Sequence, residues 1–170
     1  ALGVKEVVIV ECGTAYRIPK FLLGPLPFRV TSIVEKIHQY LAEGRIRVKE
    51  GAIAEPLTYH DPCQLGRNAG VFEEPRDILG RLASDYREMS PTREYNWCCG
   101  GGGGLVALDN EEFRIRTGKA KKDQIDATGA KIVVSACENC ILQLNTRKDG
   151  YGLNVEVKSL SELVAENLRI

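Results

Sequence analysis

A chain of 170 residues, 44% of them hydrophobic, can bury one compact α/β core without disulfide staples. Its 23 Lys plus Arg balance 23 Asp plus Glu, which leaves no basic field to hold nucleic acid or an anionic membrane. The longest unbroken aliphatic run, Val7-Val8-Ile9-Val10, falls far short of the roughly 20 residues of a spanning helix, so any membrane link is expected through a partner.

Short β-branched runs alternate with helical patterns along the chain, which predicts βαβ units with mostly parallel strands. In chain order, strands are expected at 5–10, 28–31, 57–59, 86–89, 131–135 and 154–158, and helices at 14–23, 32–43, 62–67, 75–84, 110–128, 138–148 and 159–167. The opening residues lack the apolar h-region and cleavage site of a secretory leader, so a cytoplasmic setting is expected. The chain starts at Ala1 without an initiator Met and is read as a piece of a longer subunit.

Two stretches repeat one another. Val7-Val8-Ile9-Val10-Glu11-Cys12 aligns with Ile132-Val133-Val134-Ser135-Ala136-Cys137, a strand ending in cysteine. A helix follows each, then a second strand that ends at Ser32 or Ser159, with Glu35 and Glu162 three residues on, the pattern of a capping box. The expected fold is therefore a pseudo-duplicated α/β domain. Residues 1–50 form the tail of a first, degenerate repeat and 51–170 a complete cysteine-rich repeat, packed as one globular body. A chance likeness between two βαβ units is the competing reading.

The remaining cysteines are Cys63, the vicinal pair Cys98-Cys99, and Cys137-x-x-Cys140. In a parallel sheet the segments past the carboxyl ends of the strands face one crevice, so all five are expected at one end of the sheet. Asp61 and Pro62 can start a short helix that presents Cys63, and Cys137 enters the helix beginning near Glu138. Helix-start N–H groups favour thiolate. The run Gly100 to Gly104 carries no side chains, so Gly100 and Gly101 can approach a metal centre closely and aim N–H groups at its sulfur atoms. It lacks the Lys-Ser/Thr of a phosphate-binding loop, and Leu105 interrupts the dinucleotide pattern; a flexible linker is the other reading. Four thiols suffice for a tetrahedral zinc site, whereas five suit an iron–sulfur cluster better. Zinc remains the alternative, since one member of a vicinal pair can stay unused.

At these residues the sequence resembles the cysteine-rich CCG domain family, whose motif is a cysteine, a distant Cys-Cys-Gly and a distant Cys-x-x-Cys. The resemblance covers 57–170 as a complete repeat and about 7–43 as the tail of another. Members include the B and D subunits of heterodisulfide reductase and iron–sulfur subunits that oxidise glycolate, lactate or glycerol-3-phosphate. The segment Tyr95-Asn96-Trp97-Cys98-Cys99 looks most like the K subunit of the sulfite-reduction-associated membrane complex. The resemblance implies an oxidoreductase acting on sulfur groups, with Cys63, Cys98, Cys99, Cys137 and Cys140 as ligands of a noncubane [4Fe-4S] cluster at which a disulfide is cleaved or formed. It implies partner redox subunits (a ferredoxin-like domain, a flavoprotein or a membrane cytochrome), a peripheral place at the membrane, and a disulfide or thiol substrate that can be a small protein. An electron relay in a 2-hydroxy acid or glycerol-3-phosphate oxidising system and a zinc-held interaction module are the alternatives. Cys12 matches Cys137 by position, but Ala15 stands where a partner like Cys140 would be, so a second cluster is not expected and Cys12 is read as a small buried thiol.

Outside the cysteines, His60 is a candidate proton donor or hydrogen-bond partner of the cluster, against a strand-end histidine satisfied by backbone. His38 is read as surface. Arg114, Arg116, Lys119, Lys121 and Lys122 fall on one long helix and are read as its solvated face. Arg67 and Trp97 flank cysteines, and either lines a substrate entrance or, for Trp97, packs in the core.

Overall fold

The computed structural model describes residues 2–169. Every strand pairing is parallel. β1 (Glu6–Ile9) lies beside β2 (Arg29–Ser32), with Ile9 opposite Ser32. β3 (Leu57–His60), β4 (Ile132–Ser135) and β5 (Glu156–Ser159) make a second sheet in the order β3-β4-β5, with His60 opposite Ser135 and Ser135 opposite Ser159. The all-buried β4, Ile-Val-Val-Ser, takes the centre, as an uninterrupted β-branched run does when both faces are covered.

The helices are α1 (Gly13–Arg17), α2 (Ile33–Ala42), α3 (Glu73–Leu82), α4 (Glu111–Thr128), α5 (Glu138–Tyr151) and α6 (Leu160–Glu166). Local signals set their ends. Ser32 and Glu35 close a reciprocal capping box on α2, and the Ser159 hydroxyl accepts the Glu162 N–H on α6. α4 and α5 stop at Gly129 and Gly152, both left-handed. Cys12 and Cys137 occupy equivalent places, each the N-cap of the helix that follows its strand.

Alternation along β4 divides the core into layers. Ile132 and Val134 face a cluster that includes Tyr16, Val34, Leu57, Leu79 and Leu160, joining the first sheet and α2 to the second sheet, α3 and α6. Val133 faces the opposite cluster with Ile125, Ile141, Leu144 and Val157, under α4 and α5. None of the described helices is long and apolar enough to cross a membrane.

Three expected elements differ. Segment 86–89 is not a strand: it makes a single bridge, Tyr86 to Leu57. Beyond it, Arg87 turns to the carbonyls of Thr128 and Gly129 and Glu88 turns to Arg76, so side-chain bonds draw the backbone off the edge of β3. Segment 62–67 is a chain of overlapping turns. The Leu65 and Gly66 N–H groups both go to the Pro62 carbonyl, and Asn68 reaches Cys63, a mixture of spans that no regular helix contains. Finally, α1 ends at Arg17 and passes into a π-helical turn, Ile18–Leu22, where Pro19 supplies no amide donor.

Candidate metal centre

The segments leaving β1, β3 and β4 meet at the carboxyl end of the sheets, where all six cysteines of the chain line one cavity of about 100 Å³. All six are free thiols.

Each wall has its own support. Behind Cys63, Asp61 is not a helix cap. It is buried against Arg76, which grips both of its oxygens at 2.9 and 2.8 Å and also holds Glu88 and Thr92. Asp61 accepts the Arg93 N–H as well, so one carboxylate fixes both the Cys63 turn and the loop that leads to Cys98. Arg67 donates to the carbonyls of Glu94 and Asn96 and braces that loop from outside. The vicinal pair sits against α4 where two glycines touch. A Cβ on Gly100 would come 2.7 Å from the Gly118 nitrogen, and one on Gly118 would meet Tyr151 Oη at 1.9 Å and the Cys99 carbonyl at 2.9 Å. The Gly100 and Gly101 N–H groups reach Cys98 Sγ and Cys99 Sγ, each at 3.4 Å. Another wall comes from the first unit: a Cβ on Gly13 would lie 2.6 Å from the Leu65 nitrogen, so the turn after Cys12 seats directly on the turn after Cys63.

The thiols are not equivalent. Cys98 is held far below the ordinary thiol range by hydrogen bonds from the Cys63 and Cys99 thiols and the Gly100 N–H. Its donor Cys63 is correspondingly raised by that bond and by burial. Cys137 is lowered to about 6 by a hydrogen bond from Cys140 and by the N–H groups of Cys140, Gly13 and Asn139. At the floor, Cys99 and Cys140 are buried with their Sγ atoms 3.2 Å apart. Cys140 is pushed well up by its bonds to Cys137 and Cys99 and by burial. For Cys99, the bond from Cys140 acts downward, but its own bond to Cys98 and burial raise it to about 12. Two thiolates thus share three neighbouring protons, and a cation bound by all five sulfurs must displace those three.

The five sequence-predicted cysteines come together, with Gly100 and Gly101 at their sulfurs. Cys12 joins them: it is partly exposed rather than packed away, and its Sγ caps the Ala15 N–H at 3.5 Å. Trp97 is 55% exposed, so it does not pack in the core. His38 pairs with Asp77 between α2 and α3, away from the cavity.

The charged helix is partly a correction. Arg116 and Lys119 are solvated as expected, but Arg114 and Lys121 are buried. They share with Gly118 and Ile125 the face of α4 turned to the protein. Two cations and a glycine at the inward positions leave almost no hydrophobic period to read; the 114, 118, 121, 125 spacing was the available signal. Lys121, with no exposed surface, donates to Asn96 Oδ1, to Gln124 Oε1 at 2.5 Å and to Met89 Sδ at 3.4 Å. Burial lowers its pKa to about 7, against the pull of Asp61 and the thiols. Beside it, His60 is held well below the usual imidazole range, first by burial and then by the Lys121 charge. A ring nitrogen of His60 and the sulfurs of Cys99 and Cys140 lie within 4.8 Å of one another.

A profile of the cysteine-rich CCG domain matches residues 57–145 of this chain. The chain belongs to the CCG cysteine-rich domain family. This CCG domain is 34% identical over 173 residues to the D subunit of the dihydromethanophenazine:CoB–CoM heterodisulfide reductase of Methanosarcina acetivorans, covering 95% of the chain and 40% of that protein. It is 34% identical to the B subunit of the fumarate reductase (CoM/CoB) of Methanothermobacter marburgensis, over 75% of the chain and 26% of the relative. Identity to the EtfAB:quinone oxidoreductase of Syntrophomonas wolfei is 27%, over 84% and 21% respectively. The CCG domain therefore spans about two fifths, or less, of the length of these oxidoreductase relatives.

Proposed function

We propose that this CCG domain holds an iron–sulfur cluster, a [4Fe-4S] centre of the noncubane type, on Cys63, Cys98, Cys99, Cys137 and Cys140, and that it serves a subunit that reduces or forms a sulfur–sulfur bond. The convergence of these thiols on one cavity carries the reading. The donor set fits the group. It is all sulfur and richer than the four ligands of a structural zinc, with Gly100 and Gly101 N–H groups directed at two of the sulfurs as in sites that stabilise anionic clusters.

When bound, such a cluster supplies single electrons. The reaction served is disulfide plus two electrons and two protons giving two thiols, with the electrons delivered by partner redox subunits. The protein's own contribution is placement. Asp61–Arg76 and the Gly100–Gly118 contact hold the ligands, and the exposure of Cys98 leaves the centre accessible to a sulfur substrate. The relatives named for heterodisulfide reductase support this reading. The relative named as an EtfAB:quinone oxidoreductase supports a second one, in which the domain only relays electrons. We also read 1–50 as the tail of a degenerate repeat packed on the complete repeat 51–170, supported by the matching Cys12/Cys137 and Ser32/Ser159 caps.

Anaerobic purification followed by iron, zinc and acid-labile sulfide analysis tests the centre. Iron and sulfide in cluster ratio are expected, and stoichiometric zinc without sulfide overturns it. Adding thiol to the oxidised protein and finding a new paramagnetic signal favours sulfur chemistry over a relay.

A further inference from the structure

Among the described residues, Thr58 Oγ1, Tyr59 Oη and His60 Nε2 are the buried side-chain polar atoms without a hydrogen-bond partner. His60 alone of these three belongs to the group that approaches sulfur, with Cys99 and Cys140. A buried donor is costly to leave unmade, so an unpartnered nitrogen on a ring that stands near two candidate ligands asks for an explanation.

The neighbouring bonds fix which nitrogen carries the proton. The Asn96 side-chain amide lies between Lys121 and His60. Its Nδ2 is 2.9 Å from the Asp61 carbonyl, which can only accept, so the NH₂ group must face that side. Lys121 independently donates to Asn96 Oδ1. The amide therefore cannot be flipped, and this holds whatever the charge on Lys121. The second amide proton points at His60 Nδ1, 3.3 Å away. Nδ1 must accept, and in a neutral imidazole the proton then sits on Nε2. Lys121, Asn96 and His60 thus form one directed chain that starts on α4 and ends on the free N–H of a ring grouped with Cys99 and Cys140.

We propose that His60 Nε2–H donates a hydrogen bond to the sulfur of Cys99 or Cys140 in the loaded centre, and that Asn96 and Lys121 are positioning residues that hold the ring in this tautomer. The inference rests on the iron–sulfur reading of the cavity. It also excludes His60 as a ligand, because metal binding through Nε2 would require Nδ1 to carry the proton opposite a donor. A hydrogen bond to a cluster sulfur stabilises the more negative, reduced state and raises the reduction potential.

The chain has two histidines, so ¹⁵N-histidine labelling of the anaerobically loaded protein, in a His38→Gln background, isolates His60. Electron–nuclear double resonance on the reduced centre is expected to show weak ¹⁵N coupling from His60 and, beside the exchangeable amide protons of Gly100 and Gly101, one further proton that is lost in D₂O. Strong ¹⁵N coupling of a ligand, or no ¹⁵N coupling and no exchangeable proton beyond those of the two amides, overturns the proposal. His60→Phe should load iron, lose the proton signal, and reduce about tenfold less favourably at a given potential, about 59 mV for one electron. Asn96→Asp is the control for tautomer: a carboxylate only accepts, so the ring turns its proton to Nδ1 and the signal should vanish with the imidazole still present. An unchanged signal in Asn96→Asp overturns the role of the chain. Should the protein bind no iron, the iron–sulfur reading fails by itself, and ¹⁵N NMR of the iron-free protein still decides the tautomer: a proton on Nδ1 overturns the inference and one on Nε2 supports it.

Discussion

Glu11 accepts the hydroxyl proton of Ser159 at 2.7 Å, across 148 residues of chain. Its other oxygen takes the Ser161 N–H at 2.9 Å and its carbonyl takes the Glu138 N–H, so one residue of the first unit caps both α5 and α6 of the second. To do so its backbone adopts φ 33°, which side chains rarely occupy. Replacing Glu11 by Ala should lower stability by about 1.5–3 kcal/mol, the range for charge-assisted bonds, read from urea denaturation. A change below roughly 0.5 kcal/mol would show that the contact is incidental.

The ligand set is tested by single substitutions in anaerobically reconstituted protein, with folding checked by circular dichroism. Cys140→Ser should abolish iron incorporation, because Cys140 sits at the sealed floor and pairs with Cys137 in one helical turn. Cys99→Ser should lower occupancy or alter the EPR signal. Cys12→Ser should leave iron content unchanged, since serine keeps the cap on Ala15. Full iron in Cys140→Ser would mean the set is drawn wrongly.

Two glycine substitutions should move stability in opposite directions. Gly118→Ala puts a methyl into Tyr151 Oη, which is tied to the Arg114 carbonyl and to Gln143 and has no free path aside. A loss of about 1–3 kcal/mol or more is expected, with reduced iron loading because the Cys99 carbonyl is displaced too. Gly80→Ala, on α3 with open space around it, should stabilise by about 0.5–1 kcal/mol. Thermal melts of the two variants decide it.

In the iron-free, reduced protein, alkylation should be selective. Cys98 and Cys137 are thiolates at pH 7, whereas Cys99 and Cys140 stay protonated and buried. Iodoacetamide should label Cys98 and Cys137 first, with the Cys137 rate falling by half near pH 6. Peptide mass spectrometry reads the order, and early labelling of Cys140 would contradict it.

Glu88 supplies the acid dependence. Burial acts to raise its pKa, but the hydrogen bonds from Arg76 and Thr92 outweigh it and the folded value lies below the ordinary 4.5. Its stabilisation is therefore complete above about pH 4.5 and is lost as pH falls through the folded value. The urea midpoints of wild type and Glu88→Gln should differ at neutral pH and converge in acid. A constant gap would assign the effect elsewhere.

The parallel βαβ pattern, the serine caps and the place of Cys63 and Cys137 were legible because each has a local signature: β-branched runs, Ser-x-x-Glu, and cysteines just past strand ends; Cys98 and Cys99 follow no strand and reach the same cavity through the loop that Asp61 and Arg67 hold. What stayed hidden was set by polar bonds between distant residues. Tyr86 to Met89 carries strand-like residues, yet Arg76 claims Glu88 from 12 residues away, a pairing that no hydrophobic period records. Lys121 looked solvated because its neighbours Lys119 and Lys122 are paired along the helix surface with Asp123 and Asp126. Cys12 reached the cavity through the seating of Gly13 on Leu65, a contact between turns 52 residues apart.

The burial of Lys121 also makes occupancy a matter of mass action. Its direct partners Asn96, Gln124 and Met89 are all neutral, and the negative charge that favours its protonated form comes from Asp61 and the cavity thiols. An empty cavity, in which three of the five thiols keep their protons, compensates that ammonium only in part, whereas an anionic occupant adds to the compensation and binds the native chain alone. Folding and loading are then linked equilibria, so the melting temperature should climb with the free concentration of whatever the cavity accepts.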